Sequence, residues 1–171
     1  GDAQRRDFTV NGLFCDPATG KVRDFVNGLA DLDARVIRAI GEPEARFRED
    51  HLRMLRAVRF ASVLGFEIEP ATRAAIERSA AQIGVVSAER VASEVIRMVC
   101  ESPRPSVGLN LLLETGLLAH ILPEVAKLSG TAQPPLYHPE GDVWTHTCLM
   151  LDALPPPRQP ALALAVLLHD V

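Results

Sequence analysis

Cysteine is scarce. Cys15, Cys100 and Cys148 stand far apart and are odd in number, so no disulfide framework or cysteine-bound zinc cluster can be built on them, and they read as reduced thiols of a cytosolic protein. Lysine is scarcer still, with 2 residues against 16 arginines. No apolar run reaches the ~20 residues of a membrane-spanning helix, and no secretory signal opens the chain. Also missing are a glycine-rich phosphate loop of either common type and a serine nucleophile elbow. Cys15 has no histidine near it in sequence. The chain thus carries no sequence pattern of a disulfide scaffold, a membrane-spanning helix, or a Walker or Rossmann nucleotide binder.

What is present is a chain of 171 residues, 47% of them hydrophobic, enough for a core in one domain or two small ones. The net charge of −4 hides an asymmetry: residues 1–60 carry +1 and residues 61–171 carry −5. A nucleic-acid partner would be held by a local patch, not by overall charge. The chain opens inside a motif and stops at Leu167-Leu168-His169-Asp170-Val171, within an apolar helical pattern. It is expected to be part of a larger protein.

The punctuation separates two regimes. Residues 1–41 read as α+β: a turn or short helix over Asp7–Asn11, a hairpin of Leu13–Asp16 and Lys21–Phe25 about Pro17-Ala18-Thr19-Gly20, a helical turn over Asp31–Arg35, and a strand over Val36–Ile40 closed by Gly41. After Pro43 the patterns are helical. One long helix is predicted over Glu44–Leu64, a second from Pro70 to Ile83, and a third from an N-cap at Ser87 to Glu101. Ser106–Thr115 is the next, then a short turn over Leu117–Leu122. A Pro- and Gly-rich loop, Ser129–Pro139, marks a boundary before two last helices, Gly141–Leu154 and Ala161–His169. The fold class is mainly α with a short α+β piece at the N-terminus.

Three constellations carry chemistry. Arg5-Arg6-Asp7 with Asn11 crowds guanidiniums, a carboxylate and an amide into one short stretch. That set suits a triphosphate and ribose, and it also has the form of a surface charge run. On a helix, Asp50, Arg53 and Arg56 fall one short turn apart, with Arg59 continuing the series and Phe47 and Phe60 bracketing it. Aspartate accepts from an exocyclic amine and arginine donates to ring acceptors. The same spacing also describes an amphipathic helix with a salt-bridged face. The third set is His146 with His169-Asp170, joined by Tyr137-His138, a pattern of metal ligands.

Taken in order, the first two motifs resemble the class II tRNA nucleotidyltransferase and bacterial poly(A) polymerase family. The stretch between them, Asp24…Gly28-Leu29-Ala30-Asp31-Leu32…Arg35-Val36-Ile37-Arg38, carries the resemblance too, as do Val86-Ser87-Ala88-Glu89-Arg90 and Gly116-Leu117-Leu118…Leu122-Pro123-Glu124. The tail from His138 to Asp170 is similar to the start of an HD domain. The resemblance implies that residues 1–41 are the end of a nucleotidyltransferase head, 42–128 a helical neck with nucleotide recognition and RNA binding, and 129–171 the first part of an HD domain. It implies that Arg5, Arg6, Asp7 and Asn11 hold sugar and phosphates, that Asp50 and Arg53 pair with the base edge of CTP or ATP, and that Arg56 and Arg59 lie on the nucleotide side. His146, His169 and Asp170 would be ligands of an HD metal site whose later Asp falls beyond Val171.

The family's catalytic Asp-x-Asp, which holds Mg²⁺, belongs upstream of Arg5 and is absent from this chain. Asp31-Leu32-Asp33 has the spacing but matches the head–neck element instead. The expected activity of the whole protein is addition of CMP and AMP to the tRNA 3′ end in the cytoplasm, with no membrane or DNA partner and with this chain inactive alone. Rival readings are a poly(A) polymerase or an enzyme adding only A or only CC, an HD phosphohydrolase, and a helical RNA-binding module. The −5 charge after residue 60 argues against the last.

Overall fold

The computed structural model describes residues 2–132 and 141–171. Two 3₁₀ turns, Asp2–Arg5 and Thr9–Asn11, lead into the expected hairpin of β1 (Leu13–Cys15) and β2 (Val22–Asp24), antiparallel with Phe14 opposite Arg23. Asp24 ends β2 and opens the next element. Its carboxylate accepts from the N–H groups of Val26, Gly28 and Leu29, so α1 (Gly28–Ala34) begins earlier than the turn predicted at Asp31. A Cβ at position 28 would collide with the Thr9 carbonyl, which is why glycine stands where α1 meets the N-terminal turn.

The strand predicted over Val36–Ile40 is shorter. Only β3 (Val36–Ile37) pairs, in parallel, with β4 (Glu67–Ile68), and Ala39 forms a bridge to Phe8. The Glu67–Ile68 strand begins two residues after Gly65 and is too short to carry an alternating pattern of its own.

The predicted helix over Glu44–Leu64 is in fact two, α2 (Pro43–Glu49) and α3 (Leu52–Leu64). Between them Asp50 is extended, at φ −156° and ψ 105°. Its Oδ1 accepts from the Leu52 N–H at 3.1 Å. A short acidic side chain competes for backbone donors and starts a new helix in place of continuing the old one. Gly65 ends α3 at φ +67°, a conformation that a Cβ disfavours. The helix predicted from Pro70 to Ile83 stays α-helical only over α4 (Pro70–Ser79) and tightens to 3₁₀ over Ala80–Val85.

Four of the remaining helices follow the predicted order, α5 (Ala88–Glu101), α6 (Pro105–Glu114), α9 (Val143–Ala153) and α10 (Pro160–Leu168); between α6 and α9 stand α7 (Leu117–Ile121), where a turn was predicted, and α8 (Pro123–Ala126), where no helix was expected. Ser87 precedes α5 as expected, without a side-chain capping bond. The turn predicted at Leu117–Leu122 is helical because Gly116 closes α6 and frees a new start.

Helix α3 is the centre of the core. Met54, Leu55, Ala57, Val58 and Ala61 are buried against α5 and α6, where Met98, Val99, Leu109 and Leu112 meet them. A side chain at Gly108 would strike Met98 and Ser62, so α6 can lie close to both neighbours only with glycine there. Asp152 of α9 caps α6 from outside, accepting from the Ser106 N–H at 2.9 Å and its hydroxyl at 2.6 Å. Trp144 Nε1 donates to Asn110 Oδ1 at 2.8 Å. All three cysteines are free thiols, and burial pushes the Cys148 thiol up to about 12. Among the described residues no helix is long and apolar enough to cross a membrane.

Candidate nucleotide site

The site begins with a buried ring. Phe8 is fully enclosed and packs edge-on against Phe60 of α3, with centroids 5.9 Å apart. The Thr9 N–H donates to the Arg38 carbonyl, and the Ile40 N–H to the Asp7 carbonyl. Those bonds fix Asp7 beside α3, where its Oδ2 accepts from Arg56 Nε at 2.7 Å. Its Oδ1 accepts from Asn11 Nδ2 at 3.0 Å and from the Phe8 N–H at 2.9 Å. Burial pushes the Asp7 carboxyl up, but the Asn11 bond, the Arg56 charge and bond, and the Phe8 N–H together outweigh it and hold the group below its ordinary value.

Behind Arg56 the network continues into α5. Glu94 lies 3.8 Å from Arg56 Nη1 and takes a 2.6 Å bond from Arg59 Nε. Glu94 and Arg59 are 7% and 3% exposed. Arg59, expected on the nucleotide side, is thus one turn further along α3 and rotated toward α5, where a buried carboxylate neutralises it and the Phe60 ring lies 4.2 Å beneath it. Phe47, expected to bracket the charged face with Phe60, is instead part of the core at 1% exposure.

In front of Arg56 is a cavity of about 290 Å³, lined by Arg6, Asp7, Asn11, Asp50, Leu52, Arg53, Arg56 and Arg90. Six of the eight predicted site residues therefore meet in one hollow. Arg5 does not line it; its carbonyl accepts from Arg53 Nη2 at 3.5 Å. Arg90 was not foreseen as a site residue. Its one signal was its place in the Val86–Arg90 motif, on the first turn of α5. Four guanidiniums face two carboxylates in this lining, a balance suited to a polyphosphate anion.

The pair expected to read a base edge is not joined to itself. Asp50 Oδ2 accepts from Arg90 Nη2 at 2.8 Å, while Oδ1 is held by the Leu52 N–H. Arg53 Nη1 donates to Glu49 Oε2 at 2.6 Å and to the Arg46 carbonyl at 3.0 Å. The bond from Arg53, followed by Arg46, draws the Glu49 carboxyl below its ordinary value. An acceptor and a donor fork thus stand side by side at the cavity, each steadied from behind.

His146, His169 and Asp170 also come together, with one donor atom of each within 4.8 Å of the others, the one such triple among the described residues. The His169 Nδ1 lies 2.7 Å from the Val166 carbonyl and its Nε2 3.1 Å from Asp170 Oδ2. A carbonyl on Nδ1 favours the tautomer whose Nε2 is free to ligate. Tyr137 and His138 fall outside the described residues. Asp31 takes bonds from the Thr9 hydroxyl at 2.7 Å and from Arg38 Nε at 3.1 Å, and it is buried. The Asp31–Asp33 pair therefore does not fit a catalytic Mg²⁺ site.

The two predicted motifs, far apart in the sequence, converge on this hollow. Residues 1–38 match the family model described as "Poly A polymerase head domain" and residues 65–128 the one described as "Probable RNA and SrmB-binding site of polymerase A". The multifunctional CCA protein of Halorhodospira halophila is 39% identical over 176 residues, 99% of this chain and 41% of its own length. The CCA-adding enzyme of Latilactobacillus sakei is 39% identical over 160 residues, 90% of this chain and 40% of its own length. The crystal structure of the Bacillus stearothermophilus CCA-adding enzyme in complex with CTP superposes with a TM-score of 0.72 at 34% identity, covering 99% of this chain and 47% of that one. The chain belongs to the class II tRNA nucleotidyltransferase and bacterial poly(A) polymerase family, and it spans less than half the length of these relatives.

Proposed function

We propose that this chain is the nucleotide-recognition and neck part of a template-independent RNA nucleotidyltransferase that adds CMP and AMP to the 3′ end of tRNA in the cytoplasm. In this reading residues 1–41 close the head, 42–128 form the neck and 129–171 begin an HD domain. The observation that carries it is the meeting of Arg6, Asp7 and Asn11 with Asp50, Arg53 and Arg56 in one cavity. Arg6, with Arg5 at the rim, neutralises the triphosphate, and the Asp7–Asn11 pair faces the sugar. Asp50 accepts from the exocyclic amine of C or A, and Arg53 donates to the ring acceptors beside it. G and U lack an amine beside an acceptor at that edge. Arg56 orients Asp7, and buried Arg59 supports Arg56 through Glu94.

Divalent metal held by carboxylates outside this chain would supply the phosphoryl-transfer chemistry. The likeness to CCA-adding enzymes favours CCA addition over poly(A) synthesis and over an HD phosphohydrolase. His146, His169 and Asp170 are assigned a divalent metal in the HD region. Metal analysis of the full-length gene product against its His146→Ala variant checks this, and an unchanged metal content contradicts it.

The test of the main reading is a product-length assay of the full-length gene product on tRNA lacking its 3′ end. CCA addition supports it. A poly(A) tail, or no incorporation of either nucleotide, overturns it.

A further inference from the structure

Asp50 is a poor base reader unless something fixes it. It sits in the extended break between α2 and α3, outside either helix, and its side chain is a third exposed. A carboxylate that turns freely in such a place offers its lone pairs in many directions, and a hydrogen bond to a base edge discriminates only when its direction is set in advance. Two bonds set it here. The Leu52 N–H holds Oδ1 at 3.1 Å from within the chain turn. Arg90, reaching over from the first turn of α5, holds Oδ2 at 2.8 Å. Each carboxylate oxygen accepts two bonds, so Oδ2 keeps one lone pair for an incoming amine.

We propose that Arg90 is a specificity-determining positioning residue. It aims Asp50 at the exocyclic amine of C or A, and Asp50 in turn keeps the donors of Arg90 away from the base. The second half matters as much as the first. Arg90 lines the same cavity. A free guanidinium there would donate to the carbonyl that U and G present where C and A present an amine. Tied to Asp50, it is withdrawn as a competing reader. The pair therefore both selects the right base and withholds a donor from the wrong one. This inference rests on the base-reading role proposed for Asp50 and adds to it a residue from a different helix.

Equilibrium binding of CTP, UTP and inorganic triphosphate to the chain tests it, with Arg90→Met, Arg90→Lys, Asp50→Ala and the double variant Asp50→Ala/Arg90→Met. The CTP-to-UTP affinity ratio is the readout, because any contact of Arg90 with phosphate cancels in it. The expected result is a fall of about tenfold in that ratio for Arg90→Met, the low end of what a good base contact contributes. Arg90→Lys should recover part of it. Asp50→Ala alone should raise UTP affinity, and the double variant should remove that gain. A ratio unchanged in Arg90→Met, with CTP, UTP and triphosphate all weakened alike, would make Arg90 a phosphate ligand and overturn the proposal. Tighter CTP binding in Arg90→Met would make it an obstruction and overturn it too. A wild-type chain that binds triphosphate but does not prefer CTP to UTP would instead sink the base-reading role of Asp50 itself.

Discussion

Asp7 and Arg56 are 49 residues apart in sequence and 2.7 Å apart in space. That one contact brings the N-terminal segment and α3 to a common cavity. Asp7 is buried and Arg56 partly exposed, and the carboxylate is further held by Asn11 and the Phe8 N–H. The arrangement fixes the orientation of a guanidinium that faces the cavity on one side and Glu94 on the other.

Acid stability reports on this pair. The carboxyl of Asp7 lies below its ordinary value of 3.8 in the folded protein. A depressed carboxyl contributes stability that is complete above the unfolded-state value and disappears as pH falls through the folded one. Asp7→Asn should therefore lower stability at neutral pH by about 1–3 kcal/mol. The gap from wild type should close below about pH 4. Urea denaturation at several pH values measures it; a gap that is constant with pH would contradict the assignment.

Glu94 has the larger stability role. Replacing it by Ala leaves Arg59 buried with no partner for its charge. Removal of one member of a buried pair costs about 3–5 kcal/mol, and Glu94→Ala should lose stability in that range by urea denaturation. A loss below about 1 kcal/mol, typical of exposed pairs, would mean that Arg59 finds water or another acceptor.

How much of this was legible in the sequence depended on whether a residue's partner lay nearby in the chain. The hairpin about Pro17–Gly20, the helices that follow Ser87 and Pro105, and the stops at Gly65 and Gly116 follow local chemistry, and they stand where expected. The break at Asp50 was signalled only by an acidic residue able to cap, and its helical surroundings on both sides hid it. The strand Glu67–Ile68 exists because Val36–Ile37 is there to pair with it.

The same limit applied to the site. Arg6, Asp7, Asn11, Asp50, Arg53 and Arg56 were found by their residue types, yet the spacing that made Arg59 look like one more cavity arginine could not reveal Glu94, 35 residues on. Arg90 was missed as a cavity residue for the same reason: its partner Asp50 lies 40 residues away.

The central claim is that Asp50 and Arg53 read the base. Binding of CTP, ATP, GTP and UTP to the chain, compared between wild type and Arg53→Ala, addresses it most directly. Wild type should prefer CTP and ATP over GTP and UTP, and Arg53→Ala should lose about tenfold or more of that preference while still binding inorganic triphosphate. An Arg53→Ala chain that keeps the full preference for CTP and ATP would contradict it.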